Sequence, residues 1–507
     1  MSGSGKPLRN NRREFLSAAL VGLSPKTSRP VEGRLIDDSH LLGHKLRDRA
    51  AFPAPKQQAR VPVVIVGGGI SGLSAAWWLR KKRFSDFIIL EMEHQAGGNS
   101  RWGENEISAY PWAAHYLPVP NRDSTLVREL CEEFGLIENG RFNELHLCHS
   151  PQERLFLHGR WQEGIEPDTG VTREQRLEFR RFEERMAAFA STGLFSIPLE
   201  LRGKPSPLDN ISFEQWLRDQ KFDSPYLDWY VNYACRDDYG ALARDTSAWA
   251  GIHYFASRQH EEKGPFTWPE GNGWLAKRLL ERLGKFVRPS SMVNHLERAG
   301  RHIRVRTEQV EYQAQAVIWA APTFLLRYVL EDPPDASGMV YSPWLTANLT
   351  LDRLPRERNT EPAWDNVIYD SPALGYVVAT HQSLRSVISK SVWTYYWSLA
   401  EGTPAANRQL LLNKDWSYWK EAIFHDLEKA HPDIRQCVSR IDVLRLGHAM
   451  ARPVTGWMWS DKRRRLGDWG TDIVLANSDL SGMSIFEEAQ YHGVRAATRV
   501  LHRLGRA

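Results

Sequence analysis

Cysteine is scarce: four residues in 507, at positions 131, 148, 235 and 437, and none of them in a C-x-x-C pair. Metal binding through paired thiolates is therefore not expected. An even count permits one or two disulfides in an exported chain, and equally fits buried small hydrophobes. Long apolar runs are also missing. No stretch of about 18 apolar residues occurs, so no membrane-spanning helix is expected. Excess charge is missing too, because 66 Lys and Arg against 61 Asp and Glu leave +5. Without a zinc finger, an RNP motif or sustained heptads, nucleic acid is not an expected partner. No internal repeat or low-complexity block is visible. What remains is ordinary globular usage, 42% hydrophobic and 25% charged, which excludes global disorder and collagen. The length fits two to four domains, or one large enzyme with interleaved parts. Aromatics are plentiful, with 20 Trp, 16 Tyr and 19 Phe. They could line a ligand cavity or fill a core.

The N-terminus has the layout of an export signal, basic residues before a short apolar stretch ending near Leu23. Arg12-Arg13-x-Phe15-Leu16 resembles a twin-arginine signal, an address read by a receptor. That route carries folded proteins, so a cofactor can be inserted beforehand. The expected partner is the Tat export machinery. The expected location is the periplasm, or the inner membrane where an uncleaved signal retains the chain. Residues 1–24 form this signal, and 25–60 read as a linker with a short helix around Leu41–Arg49.

The first strong motif follows. Residues 61–66 are an apolar, β-branched run of the kind buried on both faces of a parallel sheet. The run enters Gly67-Gly68-Gly69-Ile70-Ser71-Gly72, a G-x-G-x-x-G. Gly67 permits the tight turn, Gly69 the approach of a pyrophosphate, and Gly72 close packing of helix on strand. Ile70 and Ser71 open that helix, whose free N–H groups and positive dipole end suit phosphate. A second strand, residues 87–90, ends at Glu91, where an acid binds a ribose hydroxyl. Strand, glycines, helix, strand and acid in register give a dinucleotide site, for NAD or FAD.

Gly97-Gly98-Asn99-Ser100-Arg101 decides between them by resemblance. Glu91 followed six residues later by a glycine pair resembles the flavin-containing amine oxidase and phytoene desaturase superfamily. The resemblance implies non-covalent FAD, with Gly97 and Gly98 against the diphosphate. Asn99 stands where an Arg often follows directly, and Arg101 is the nearest substitute. Near the C-terminus, Asp479 and the stretch Glu488 to Ala497 are similar to the closing motif of that family. By that resemblance Asp479 accepts from the ribityl chain, and Met483 and Ser484 face the flavin. Ser484 and Glu487 have the spacing of a capping box. The segment around Val293 resembles the one whose backbone contacts adenine, and Val317 to Pro322 resembles a family strand.

The implied fold class is α/β: a doubly wound, Rossmann-type FAD domain assembled from discontinuous segments, with an inserted mixed α/β substrate domain. FAD parts fall at 61–120, 265–330 and 446–507, and substrate parts at 121–264 and 331–445. His115 is the first candidate base or donor, because histidine titrates near neutrality and its stretch follows the glycine pair. The glycine- and aromatic-rich loop Phe266 to Trp274 fits close approach to flavin or substrate. Trp393 to Trp397 and Trp457 to Trp459 fit either core or cavity wall. No metal ligand is expected. Residues 344–351 lack the lysine that amine oxidases usually place in this strand, which leaves non-oxygen acceptors open. The implied activity is removal of a hydride from a C–N or C–C bond of a small-molecule substrate. The alternatives are a desaturase or isomerase with a non-oxygen acceptor, and an FAD-binding scaffold without turnover.

Overall fold

The computed structural model describes residues 30–506 except 37–39, 202–203, 259–263, 358–359 and 384–386. The twin-arginine-like segment 1–24 lies outside the described residues.

The apolar run becomes the strand Val63–Val66, buried on both faces. It is the centre of a five-stranded sheet ordered Val287–Arg288, Phe87–Leu90, Val63–Val66, Ala316–Trp319, Ile473–Leu475. Every pairing is parallel, as crossover connections require. Strands from sequence-distant stretches thus share one sheet. The chain turns at Gly67, whose φ is +102°, and enters the helix Ile70–Lys81. A Cβ on Gly72 would lie 1.9 Å from the Gly67 carbonyl oxygen, so turn and helix interlock only without a side chain there. The last helix, Phe486–Arg503, packs along Ile70–Lys81. A Cβ on Gly493 would lie 2.2 Å from the Ser71 carbonyl oxygen.

The other body is built on an eight-stranded sheet. At its middle, Val340–Leu351 pairs antiparallel with Val438–Arg452 on one side and Ser391–Ser398 on the other. Helices Arg173–Ala190, Phe213–Asp219, Pro225–Tyr239 and Ala248–Ala256 pack together beside it. Pro225–Tyr239 has clear local causes: Ser224 caps its start, Pro225 occupies the first turn, and Gly240 ends it in the left-handed conformation.

The stretch expected as a linker is woven into the fold where it is described. Glu32–Ile36 runs parallel to Val438–Arg452 at the edge of the large sheet. His40–Arg47 is a helix that buries Leu46. Gln57–Arg60 pairs with Val310–Gln313. Leu35, Ile36, Leu42 and Leu46 pack against the cores, whereas Gln57–Arg60 is held by strand pairing. All four cysteines are buried and unpaired. No helix among the described residues is long and apolar enough to cross a membrane.

Candidate active site

The glycine motifs meet in space. Gly69 bridges to Gly97, and the Gly97 amide donates to the Gly68 carbonyl at 2.8 Å. A Cβ on Gly98 would sit 3.0 Å from the Gly69 Cα, so only bare backbone fits. Gly69 stands at the N-cap of Ile70–Lys81 and no side chain caps that helix. The first N–H groups, including those of Ile70 and Ser71, are placed for an anion. Glu91 is buried, and its carboxylate accepts from Gly68 N at 2.7 Å and Glu93 N at 2.8 Å. Burial pushes its pKa up, against those two amides. Its backbone carbonyl accepts from Ser291 N, which leads the chain to the buried Val293 beside it. Arg101 donates to the Gly98 carbonyl at 3.1 Å and pairs with Glu93 at 3.9 Å.

The closing segment differs from expectation in two places. Ser484 is not the helix cap. The helix begins at Phe486 after an extended Ile485, and the Ser484 hydroxyl accepts from Ala451 N at 2.9 Å instead. The backbone of residue 451 competed for the oxygen and won. Asp479 is buried, and it is satisfied from within the protein. It accepts from Thr323 Oγ1 at 2.6 Å, and from Thr323 N and the Tyr341 hydroxyl at 2.7 Å each. It therefore also fastens two segments of chain, a role its sequence position did not suggest. Met483 is buried in the core, while Ser484 lines the cavity described next.

A cavity of about 130 Å³, open to solvent on one side, lies where the two bodies meet. Asn99, Asn272 and Ser484 to Glu487 come from the three stretches expected to hold FAD. His115, Tyr116, Asp237, Trp344, Thr346 and Tyr396 face them. Four residues of this lining each carry a buried polar atom with no hydrogen-bond partner among the described residues: Asn272 Oδ1, Trp344 Nε1, Thr346 Oγ1 and Tyr396 Oη. Buried polar groups are costly unless satisfied, so these mark a place for a ligand or ordered water.

His115 stacks on Tyr396 with ring centres 4.3 Å apart. Its Nδ1 lies 3.3 Å from the Ala113 carbonyl, and burial lowers its pKa to about 4. At neutral pH it is an uncharged wall and a poor proton acceptor. The expected glycine-rich loop stands directly behind it, since a Cβ on Gly271 would lie 2.7 Å from the His115 Cα. Strand alternation divides the aromatic run: Tyr396 lines the cavity, while Trp393 stacks on Tyr376 in the core. Trp457 and Met458 are core as well.

Sequence reasoning missed the acidic group. Asp237 and Asp238 end the helix Pro225–Tyr239, and both line the cavity. Asp238 is held by Arg258 at 2.6 Å. Asp237 accepts from the Tyr116 hydroxyl at 3.3 Å. Burial, then the neighbouring Asp238, pushes it up to about 7. The available signal was two adjacent acids in the last turn of a helix, where the dipole favours cations instead.

Comparison with known proteins matches this geometry. Residues 65–134 match the family of NAD(P)-binding Rossmann-like domains. Flavin-containing amine oxidase B of Bos taurus is 24% identical over 289 residues, covering 54% of this chain and 53% of that protein. A Baeyer–Villiger monooxygenase of Penicillium patulum is 33% identical over 110 residues, 22% of this chain and 16% of that one. Among solved structures, putrescine oxidase bound to putrescine superposes with a TM-score of 0.67 at 18% identity, covering 88% of this chain and all of that one. The chain has the flavin amine oxidase fold. Cyclohexylamine oxidase from Brevibacterium oxydans shares that fold, with a TM-score of 0.66, 13% identity and the same coverage. The chain spans about half, or less, of the length of the two sequence relatives. In this fold the five-stranded sheet is the Rossmann-like part, and the cavity lies between it and the large sheet.

Proposed function

We propose that this protein is an FAD-dependent oxidoreductase of the amine oxidase type, exported by the twin-arginine route, that removes a hydride from a C–N bond of a small amine. The observation that carries the reading is the cavity. Three separated dinucleotide-binding stretches converge on one side of it. Trp344, Thr346 and Tyr396, each with an unsatisfied polar atom, and a carboxylate stand opposite them.

The residues present fit the cofactor. The Gly67 to Gly72 loop and the Gly97-Gly98 pair leave bare backbone and helix N–H groups for a diphosphate. Glu91 has used two acceptor positions of about four in a carboxylate, so it retains capacity for ribose hydroxyls. Asn99, Asn272 and Ser484 to Glu487 are positioned for the ring end. No cysteine lines the cavity, which supports non-covalent binding. FAD supplies the hydride acceptor when bound. The chain's own residues do the rest. Tyr116, Trp344 and Tyr396 exclude water and offer aromatic faces to an ammonium. Asp237 holds or accepts a proton at its carboxylate, and the Asp238–Arg258 pair fixes its charged surroundings. Among the described residues no lysine lines the cavity.

The amine oxidases named above support the substrate class. The test is direct. Purified protein should be yellow, acid precipitation should release the flavin to the supernatant, and amines should bleach it anaerobically. Colourless protein, or bleaching by polyenes and not by amines, overturns the reading.

A further inference from the structure

The helix Pro225–Tyr239 ends in a socket. Gly240 closes it in the left-handed conformation, and a Cβ there would lie 2.5 Å from Trp344 Nε1 and 2.6 Å from Ser342 Cβ. The last carbonyls of a helix have no partner inside it. Here the Ser342 hydroxyl lies 2.9 Å from the Tyr239 carbonyl and 2.8 Å from that of Gly240. Arg452 completes the set. Its Nη2 donates to the Gly240 carbonyl at 2.8 Å, and its Nε donates to Ser342 Oγ at 2.6 Å. Arg452 is only 3% exposed, and among the described residues it forms no ion pair. A buried cation without a carboxylate is costly. The fold sets this one at the negative end of the helix whose last turn carries Asp237 and Asp238.

The strand that supplies Arg452 also reaches the cofactor side. Val438–Arg452 bulges against Val340–Leu351. Ser342 stands opposite Met450 and Trp344 opposite Leu446, so Gly447, His448 and Ala449 face Pro343 alone. Pro343 has no N–H to give the ladder, and such a position suits a bulge. The Ala449 carbonyl in this bulge accepts from Asn99 Nδ2 at 2.9 Å. Two residues on, the Ala451 amide donates to Ser484 Oγ at 2.9 Å. Residues 449–452 therefore form a bracket. One arm holds Asn99 and Ser484, from two of the stretches that converge on the cavity. The other arm holds the helix end. Leu446, Ala449 and Met450 line the cavity between the arms.

We infer that Arg452 is the positioning residue for Asp237, and that the bracket fixes the separation of this carboxylate from the segments at Asn99 and Ser484. Arg452 does not line the cavity. It acts through the helix end. Its planar fork serves the Gly240 carbonyl and Ser342 Oγ at once, in a single geometry. A lysine would keep the charge and lose the fork. The assignment rests on the reading of Asp237 as the proton-holding group beside the flavin.

The experiment is a double-mutant cycle on the full-length protein, with Arg452→Lys, the milder Ser342→Ala and Asp237→Asn, singly and combined. The first readout, on the free protein, is the fall in melting temperature between about pH 5 and 8, to which Asp237 contributes. Asp237 is faced by Asp238 and Tyr233 of its own helix, by Arg258, Glu153 and Asp365, and by Tyr116, Tyr254 and Tyr396. Neither Arg452→Lys nor Ser342→Ala alters any of these. Loosening the helix end lets water reach Asp237, so Arg452→Lys should cut the fall by about half, and Ser342→Ala by less. In the Asp237→Asn background both should leave the remaining fall unchanged. The second readout is anaerobic bleaching of the holoenzyme by 1-aminobutane. Arg452→Lys should slow it about ten- to a hundredfold, with little change in the amine concentration that gives half the maximal rate. It should slow Asp237→Asn no further. Coupling in either readout upholds the assignment. Losses that simply add in both would show Arg452 to be structural alone and overturn it. If Arg452→Lys does not fold, Ser342→Ala decides by the same criteria. Coupling in the melting temperature, with no bleaching of the wild type by any amine, would leave Arg452 in its role and sink the oxidation reading.

Discussion

The hydroxyl of Tyr116 donates to Asp237 Oδ2 over 3.3 Å and joins positions 121 residues apart. This contact holds one carboxylate on the cavity wall, while its neighbour in sequence, Asp238, turns to Arg258. One acid of the pair is neutralised in place, and the other is left to titrate.

Asp237 therefore links stability to pH. Burial and Asp238 raise it to about 7, so the folded state binds its proton more tightly than the unfolded state does. The stability this contributes is present below the carboxylate's ordinary range and is lost as pH rises through about 7. Asp365 and Glu153 are shifted in the same direction. The melting temperature of the free protein should fall as pH rises from about 5 to 8. Asp237→Asn should flatten that slope. A slope that is unchanged in the variant would show that other groups carry it.

Two glycines of the dinucleotide motifs should separate binding from folding. A Cβ on Gly69 would meet Gly98 only at 3.7 Å, an ordinary contact. Gly69→Val should therefore fold and melt like the wild-type apoprotein, yet lose FAD affinity by about tenfold or more, since 1.4 kcal/mol is one decade. Gly493→Ala should do the opposite. Its Cβ would lie 2.2 Å from the Ser71 carbonyl oxygen, and overpacking of this kind costs about 1–3 kcal/mol. Thermal melts of apoprotein alongside flavin titrations distinguish the two. Normal FAD binding by Gly69→Val would be decisive against the diphosphate assignment.

Asp479 is expected to behave as a fastener. Asp479→Ala leaves the Thr323 amide, the Thr323 hydroxyl and the Tyr341 hydroxyl without their acceptor. The loss should be on the order of 3 kcal/mol, because each buried unsatisfied donor costs about 1–3 kcal/mol. It should appear in apoprotein, without any flavin present. Chemical denaturation of cofactor-free wild type and variant measures it, and equal midpoints would return Asp479 to a ligand role.

Export has its own test. Arg12→Lys with Arg13→Lys should leave the protein in the cytoplasm, because the receptor reads the guanidinium pair. Fractionation of cells expressing the double variant decides this. Undiminished recovery from the periplasm would refute the twin-arginine assignment.

Much of the dinucleotide half was legible because its signals are local. The unbroken run before Gly67 reads as a doubly buried strand, and Glu91 falls at the end of the next one. The far strand Ile473–Leu475 was visible in the same way. The acidic wall was not legible, because its meaning comes from convergence. Asp237 is only a helix-end acid until Tyr116, Thr346 and Tyr396 arrive from three other segments. Ser484 shows a different failure. Its spacing to Glu487 suits a cap, but the helix starts only at Phe486, after an extended Ile485, and the Ser484 hydroxyl accepts from Ala451 instead. Where residues 25–60 are described, the polar composition hid an edge strand, a helix burying Leu46 and a second strand, Gln57–Arg60, held by pairing alone.

The strand Glu32–Ile36 also determines how the molecule bears load. It lies parallel to Val438–Arg452, with five residue pairs in register from Glu32 opposite Arg440 to Ile36 opposite Leu444. A pull along its axis, applied to the chain ahead of Glu32, loads those pairs in shear, so they share the force instead of opening one after another. In a force-extension trace with the chain gripped at both ends, the first resistance should therefore be a single sharp rupture at this edge.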